Sequence, residues 1–300
     1  MSDITTIIPG EVSTAQLHGH LLSAVAPRPI AFASTISKDG QVNLSPFSFF
    51  NVFGANPPIV IFSSARRVRD NTIKHTLENV QEVPEVVINI VNYPIVEQMS
   101  LSSTEYAKGV NEFVKSGLTQ VPSQLVQPPR VAEAPVALEC KVQQIIETGQ
   151  EGGAGNLIMA RVVAVHIRNE YLNDKGHLDT QKLDLVARMG GSWYCRASGD
   201  ALFEIPKPLR KKGVGVDQLP DAIRLSPVLN GNNLGRLANV EQLPSQEEIQ
   251  NYVAQNQELW SIISGTEDMP DERTKRLHLY AQGLLEKGDT EGALLSLLAG

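Results

Sequence analysis

From the N-terminus to about Asp200 the chain alternates short apolar runs with turn signals, and that rhythm leaves few folds open. Ile30–Ile36 is bounded by Pro29 and by Lys38-Asp39-Gly40, and Val42–Val52 follows as a second extended run. Asp39-Gly40 between two such runs predicts a hairpin, because glycine tolerates the positive φ that tight hairpin turns need. Ile59–Ser63, Glu85–Asn92, Val136–Glu147 and Leu157–Arg168 read as further strands, the last two joined by a glycine-rich stretch from Gly149 to Gly155. Strands with such short connections predict a mainly β fold, a closed β-barrel with helices, in which no edge is left exposed. Helical spacing puts Ile73, Leu77 and Val80 on one face of a helix over Arg69–Val80. It does the same for Tyr106, Val110, Phe113 and Val114 in a second helix that starts at Glu105.

Past Asp200 the pattern changes. Residues 201–244 are rich in Pro, Gly and Asn with little periodicity, and read as an irregular linker or extension. Residues 245–300 read as a helical C-terminal appendage, packed on the barrel or across a dimer interface. It opens with Ser245-Gln246-Glu247-Glu248, a capping box in which hydroxyl and carboxylate satisfy backbone N–H groups at a helix start. Arg273–Lys287 and Thr290–Leu298 then form a helical pair hinged at Gly288-Asp289. The expected layout is one β domain over residues 1–200, followed by these two segments.

Charge and cysteine usage exclude several classes. Lys and Arg number 26 against 33 Asp and Glu, a net charge of -7, so general binding of nucleic acid or anionic membranes is not expected. The longest apolar runs, near Ile59–Phe62 and Val86–Val91, are too short to span a bilayer. Met1–Pro9 lacks the pattern of a secretory signal, and the two cysteines, Cys140 and Cys195, form no CxxC; a cytoplasmic location is the expectation. His18-Gly19-His20 has no third ligand nearby, so no metal site is expected.

Two stretches concentrate polar chemistry. The first is Pro27-Arg28-Pro29-Ile30-Ala31-Phe32-Ala33-Ser34-Thr35, continued by Asn43-Leu44-Ser45-Pro46-Phe47-Ser48-Phe49-Phe50-Asn51. Hydroxyls and amides on adjacent strand ends beside phenylalanine rings suit a flat amphipathic heterocycle, with apolar contact for its faces and hydrogen bonds for its edge. On composition alone, a hairpin with surface serines and core phenylalanines is the plainer outcome. The second stretch, Ser63 to Asn79, carries Arg66, Arg67 and Arg69 just ahead of the predicted helix. Arginine forks and a helix N-terminus suit phosphate oxygens, and a solvated helix start would look the same.

Together these stretches resemble the flavin reductase-like family, flavoredoxin-type members included. There an Arg-Pro-Ile strand leads into Ser-Thr, then Asn-x-(Ala/Ser)-Pro-Phe-Ser-Phe-Phe, then a basic-Asp-Thr segment. Here the last element stands as Arg69-Asp70-Asn71-Thr72, with one residue more before the threonine. Leu185 to Tyr194, with Arg188-Met189-Gly190-Gly191, is similar to the family's later Arg-x-Gly-Gly-x-x-Tyr motif. The resemblance covers residues 15–200 and implies an FMN-binding split β-barrel that forms a homodimer, with the flavin near the dimer interface. It implies that Ser34, Thr35, Asn43, Ser45, Pro46, Phe47 and Ser48 line the isoalloxazine and ribityl chain. Ser63, Arg67, Arg69 and Thr72 would hold the phosphate, and Arg188 with Tyr194 would close the site or meet a nicotinamide.

The expected function is therefore an FMN-dependent oxidoreductase, a flavin reductase that takes electrons from NADH or NADPH. It would pass them to free flavin, ferric ion or a partner protein. A flavoredoxin-like electron carrier with tightly bound FMN, or a non-catalytic FMN-binding interaction protein, are the alternatives. No general-base histidine or nucleophilic triad is expected, because the cofactor carries the redox chemistry.

Overall fold

The computed structural model describes residues 3–205 and 212–300. The chain divides into two compact units, residues 1–203 and 204–300.

The first unit is built on a seven-stranded antiparallel sheet. Its strands are β1 (Ala31–Ile36), β2 (Val42–Phe47), β3 (Phe50–Ala55), β4 (Pro58–Ser63) and β5 (Glu85–Ile90). After two short strands, β6 (Gln120–Val121) and β7 (Arg130–Val131), come the long pair β8 (Val136–Glu147) and β9 (Asn156–Ile167). A last hairpin pairs β10 (Leu185–Arg188) with β11 (Tyr194–Ala197). The expected turn at Lys38-Asp39-Gly40 forms: the Gly40 amide donates to the Ser37 carbonyl at 3.0 Å, with Gly40 at φ +81.

The sheet runs in the order β2-β1-β5-β8-β9-β4-β3, so its two outer strands are neighbours in the chain. Seven strands laid flat would span about 29 Å, whereas three trans peptides hold Phe47 and Phe50 within about 11 Å. The sheet must therefore roll until its ends meet at Ser48-Phe49. Val42–Val52, expected as one extended run, is instead two strands on opposite ends of the ladder. Among the described residues no ladder joins β2 to β3. The roll is thus not completed by hydrogen bonds as a closed barrel would be, and both strands keep an edge.

Strand alternation sorts the core. Ala31 and Ala33 face Phe62, Ile88 and Ile158 inside the roll. Ile30 and Phe32 face the opposite way, into a cluster with Leu44, Met99 and Phe113. β1 is buried on both faces, which is why its sequence reads as an unbroken apolar run. Burying Phe32 or Phe62 contributes about 2–3 kcal/mol each. Four helices flank the sheet before residue 120: α1 (Thr14–Ala24), α2 (His75–Glu82), α3 (Val96–Leu101) and α4 (Glu112–Ser116); α5 (Thr180–Leu183) precedes β10.

Two helices differ from expectation. Residues 69–74 are not helical, and α2 starts at His75. Asn71 takes φ 58 there, outside the right-handed helical region. Residues 105–111 are likewise loop: Gly109 sits at φ +85, and the Asn111 side chain accepts from the Phe113 amide to start α4.

The second unit is helical. The stretch expected as irregular, 201–244, carries α6 (Asp221–Arg224) and α7 (Gly231–Leu237); its residues 206–211 lie outside the described residues. Leu219, Ile223 and Leu237 from this stretch share one apolar cluster with Ala281, Leu285 and Leu294. The remaining helices are α8 (Gln246–Gln255), α9 (Gln257–Ser264), α10 (Pro270–Glu286) and α11 (Thr290–Leu298). The Ser245 capping box forms at α8, and Asp289 starts α11 by accepting from the Gly292 amide at 2.8 Å. Among the described residues no helix is long and apolar enough to cross a membrane.

Candidate functional site

The segment from Ser63 to Lys74 leaves β4 as a loop strapped to the β8–β9 turn. The Ser64 amide donates to Asn156 O (3.1 Å), Arg66 N to Ala154 O (2.8 Å) and Gly153 N to Arg66 O (3.0 Å). The glycines of that turn permit the approach. A Cβ on Gly152 would stand 3.0 Å from Val68 O, and one on Gly155 would stand 2.9 Å from Ser63 Oγ. The role of this glycine run is thus close backbone packing.

Inside the loop the arginines are organised by hydrogen bonds. Arg67 donates to Thr72 Oγ1 (2.9 Å), to the Ile73 carbonyl (2.8 Å) and to Glu105 (3.1 Å). Arg69 donates to Asp70 (2.8 Å) and to Glu105 (3.1 Å). Asp70 in turn accepts from the Thr72 hydroxyl (2.6 Å) and the Thr72 amide (3.1 Å). The Thr72 hydroxyl, with Arg69, drives the Asp70 carboxyl far below the usual carboxylate range. The extra residue, Asn71, turns its side chain away: its carbonyl oxygen accepts from Arg66 at 2.7 Å, and its amide donates to the Gln150 carbonyl at 3.0 Å. Thr72 thereby stays against Arg67 in spite of the insertion.

Lys74, which sequence reasoning passed over, completes the cationic group. Its ammonium sits 4.9 Å from the centre of the Phe47 ring and has no hydrogen bond or ion pair among the described residues. Burial, with Arg67 nearby, lowers its pKa from the usual lysine value. Phe47 is buried and tilts against Phe62 at 5.3 Å. Among the described residues the buried hydroxyls of Ser63 and Ser64 have no hydrogen-bond partner. Unpaired donors of this kind cost free energy unless something accepts from them. Two free hydroxyls and an ammonium without a hydrogen bond, on a loop that also carries three arginines, fit a phosphate group.

The residues expected along the ring system divide between the two faces of the sheet. Thr35 and Asn43 are cross-strand partners. Asn79 Nδ2 donates to Thr35 Oγ1 (3.1 Å) and Asn43 Nδ2 to Thr76 Oγ1 (2.9 Å), so both side chains fasten α2 to the sheet. Ser34, paired with Leu44, lies on the other face, buried and with a hydroxyl that has no partner among the described residues. Ser45, Pro46 and Ser48 are half-buried.

Arg28, a second residue that the motif reading left without a role, ties three segments together. It is buried, and it donates to the carbonyls of Leu22, Val25 (2.8 Å) and Met189 (2.9 Å) and to Ser48 Oγ (3.4 Å). The first two bonds satisfy orphan carbonyls at the end of α1, a helix with no buried residue of its own. Burial, and Arg188 after it, lowers the Arg28 pKa. Arg188 lies 4.6 Å over the Tyr194 ring and exchanges backbone bonds with Arg28 at 2.9 Å. No hydrogen bond or ion pair among the described residues joins Arg188 or Tyr194 to the 63–74 loop. Likewise no group of three or more His, Cys, Asp or Glu side chains gathers there as a metal site.

Comparison with known proteins places the first unit in a family. The family model for the flavin reductase like domain matches residues 23–182 and stops short of the second unit. The uncharacterized protein BH2278 of Halalkalibacterium halodurans is 40% identical over 188 residues, which cover 62% of this chain and 89% of that protein. Among solved structures, nitrilotriacetate monooxygenase component B from Bacillus cereus superposes with a TM-score of 0.63 at 28% identity, covering 68% of this chain and 100% of that one. The 2-nitrobenzoate 2-nitroreductase NbaA of Pseudomonas fluorescens gives 0.60 at 28% identity, covering 70% and 100%.

Proposed function

Because the chain belongs to the flavin reductase-like family, we propose that its first unit binds FMN and uses it to pass electrons from NADH or NADPH to an acceptor. The observation that carries the phosphate half of this reading is the unpaired donor set: the Ser63 and Ser64 hydroxyls and the Lys74 ammonium. When bound, the flavin supplies the hydride-accepting and electron-releasing chemistry. The chain's own residues bind and orient. Arg67, held by Thr72 at 2.9 Å, presents its guanidinium to phosphate oxygens, with Lys74 and Ser63 as further donors and Arg69 at the rim; Thr72 would join them by turning its hydroxyl from Asp70. Ser34, Ser45, Pro46, Phe47 and Ser48 supply the hydroxyls and apolar surface for the ribityl chain and ring. Thr35 and Asn43 serve that surface by keeping α2 in place. Arg188 and Tyr194 form the cationic and aromatic end at which a nicotinamide would meet the site.

Two copies would complete this surface. β3 keeps an open edge and exposes Val52 (63%) and Phe53 (64%), with Phe49 beside them. An exposed apolar edge of this kind is normally covered. The acceptor in this reading is free flavin, ferric ion or a partner protein. The Bacillus cereus neighbour, itself a component of a monooxygenase, favours the last. A cytoplasmic location is part of the same reading and suits the two free cysteines.

The test is a visible spectrum of the purified protein with FMN, followed by anaerobic NADH or NADPH. A bound-flavin spectrum bleached by either nucleotide supports the reductase. A bound spectrum that ignores both points to an electron carrier reduced by another protein. No bound flavin after titration removes the reading.

A further inference from the structure

The arginines expected to hold phosphate are paired with a carboxylate of the chain itself. Glu105 accepts from Arg67 Nε at 3.1 Å and from Arg69 Nη2 at 3.1 Å, one carboxylate oxygen to each. It arrives from far along the chain, 38 and 36 residues after its two partners, on the 102–111 loop. The geometry makes it a stand-in for two phosphate oxygens. Arg67 fixes Nη1 on Thr72 and Ile73 within its own loop and gives Nε to Glu105, so the bond to Glu105 is its exchangeable one.

Asp70, the other carboxylate of the loop, has a different character. It is fixed by the Thr72 amide and hydroxyl, and it shapes the turn in which it lies. Among the described residues the Glu105 side chain has no hydrogen-bond partner besides the two arginines, and it is 55% exposed. It can therefore leave without undoing local structure. Arg66, Arg67, Arg69 and Lys74 carry four positive charges here against the two negative charges of Asp70 and Glu105. The surplus, 4 − 2 = 2, matches a terminal phosphate, which carries about −1.5 to −2 near neutrality.

We infer that Glu105 is an internal competitor for the flavin phosphate: it pairs with Arg67 and Arg69 where phosphate oxygens would, is displaced when FMN binds, and so keeps FMN exchangeable. The inference rests on the proposed flavin reading. It bears on whether FMN behaves as a released substrate or as a fixed cofactor. A carboxylate that must be expelled, and then stays close by, raises the dissociation rate of a dianion. It leaves a flavin without phosphate untouched, so the residue acts on retention of the phosphorylated flavin alone.

The experiment compares the full-length protein, freed of flavin, with its Glu105→Gln variant. Dissociation constants for FMN and for riboflavin are read from quenching of flavin fluorescence. Glutamine keeps the size and one acceptor oxygen while removing the charge. The expected result is a fall of about three- to thirty-fold in the FMN constant, the effect of one like charge removed at close range under solvent screening. The riboflavin constant should stay within about twofold of the parent's. An FMN constant that is unchanged or higher in Glu105→Gln, with riboflavin still bound, overturns the competitor role and leaves the flavin reading standing. Equal tightening for both flavins also overturns it, because the phosphate is then not what Glu105 opposes. Failure of either protein to bind either flavin overturns the flavin reading and this inference with it.

Discussion

Lys74→Met should separate binding from stability. The ammonium of Lys74 is desolvated, rests on the Phe47 ring and has no hydrogen bond or ion pair among the described residues, Glu105 acting on it only at a distance. Methionine keeps the length and apolar bulk of the stem. The substitution removes a penalty for a poorly solvated charge and forfeits a cation–π contact of about 0.5–1 kcal/mol. These terms oppose each other, so the flavin-free protein should be unchanged or more stable by up to about 1 kcal/mol, read from urea unfolding. FMN loses a charge-assisted hydrogen bond of about 1.5–3 kcal/mol, which is about 10- to 150-fold in its dissociation constant. Riboflavin, having no phosphate, should bind as before. The pH dependence has a definite sign. The folded-state pKa of Lys74 is depressed, so its neutral form is favoured by folding. Its contribution is therefore present above the unfolded lysine value, near 10.5, and is lost as pH falls through the lower folded value. Lys74→Met should flatten that part of the stability profile. A variant that is clearly less stable and binds FMN with parental affinity would refute the reasoning, since Lys74 would then be only a packing partner of Phe47.

Three further outcomes follow from the same geometry. Glu139 is fully buried and accepts from the amides of Gln124 (2.8 Å) and Leu125 (2.6 Å) and from the His166 ring (2.6 Å). Glu139→Ala strands those donors and should cost about 3–5 kcal/mol in urea unfolding. Burial pushes the Glu139 carboxyl up, but the two amides and His166 together bring it below its usual value, so its stabilisation is present above about pH 4.5 and disappears as acid titrates it. In the second unit, His278 is 3% exposed with Ser226 Oγ at 2.7 Å from Nδ1, and burial lowers its pKa from 6.5. That unit should be at full stability above pH 6.5 and weaken as pH falls through the depressed value; Trp260 fluorescence in a Trp193→Phe background would follow it, and a midpoint flat from pH 7.5 to about 5 would contradict the assignment. Gly155→Ala places a methyl 2.9 Å from Ser63 Oγ and must move that hydroxyl. FMN affinity should fall by about three- to ten-fold, the value of one weakened hydrogen bond, with riboflavin affinity held; parental FMN binding would take Ser63 out of the phosphate site.

The elements legible in the sequence were those that local pattern controls. The long β8–β9 hairpin, the Asp39-Gly40 turn and the helices over α10 and α11 follow from apolar runs, turn residues and caps that act over a few positions. The order of the sheet was not legible, because nothing inside Val42–Val52 says that its two halves end on opposite sides of the roll. The helix expected over Arg69–Val80 illustrates a misleading local signal. Ile73, Leu77 and Val80 do share a face, but the bonds from Arg66 to Ala154 and from Asn71 to Gln150 hold residues 66–71 as loop. In the candidate site, Arg67 and Thr72 are five residues apart and were found together from the motif. Glu105 and the Arg28–Met189 bond were not, since their partners lie 38 and 161 residues away. Lys74 was within reach: it stands two residues past Thr72, at the last position before the helix, but only the fold reveals that its ammonium rests on the Phe47 ring without a hydrogen bond among the described residues.

The two-residue link at Ser48-Phe49 makes the first unit something like a hoop fastened by its own thread. β2 and β3 follow each other in the chain but stand at the two ends of the ladder, so any conformation that keeps the strand order is already curled. The sheet cannot be unrolled like an ordinary open sheet; it flattens only if a ladder tears or the chain is cut. The seam between β2 and β3 is then the line along which the hoop can widen or narrow without sacrificing a rung. Any change of girth that keeps every ladder whole must fall at that seam, beside Phe47 and the side chains that would cradle a flat ring.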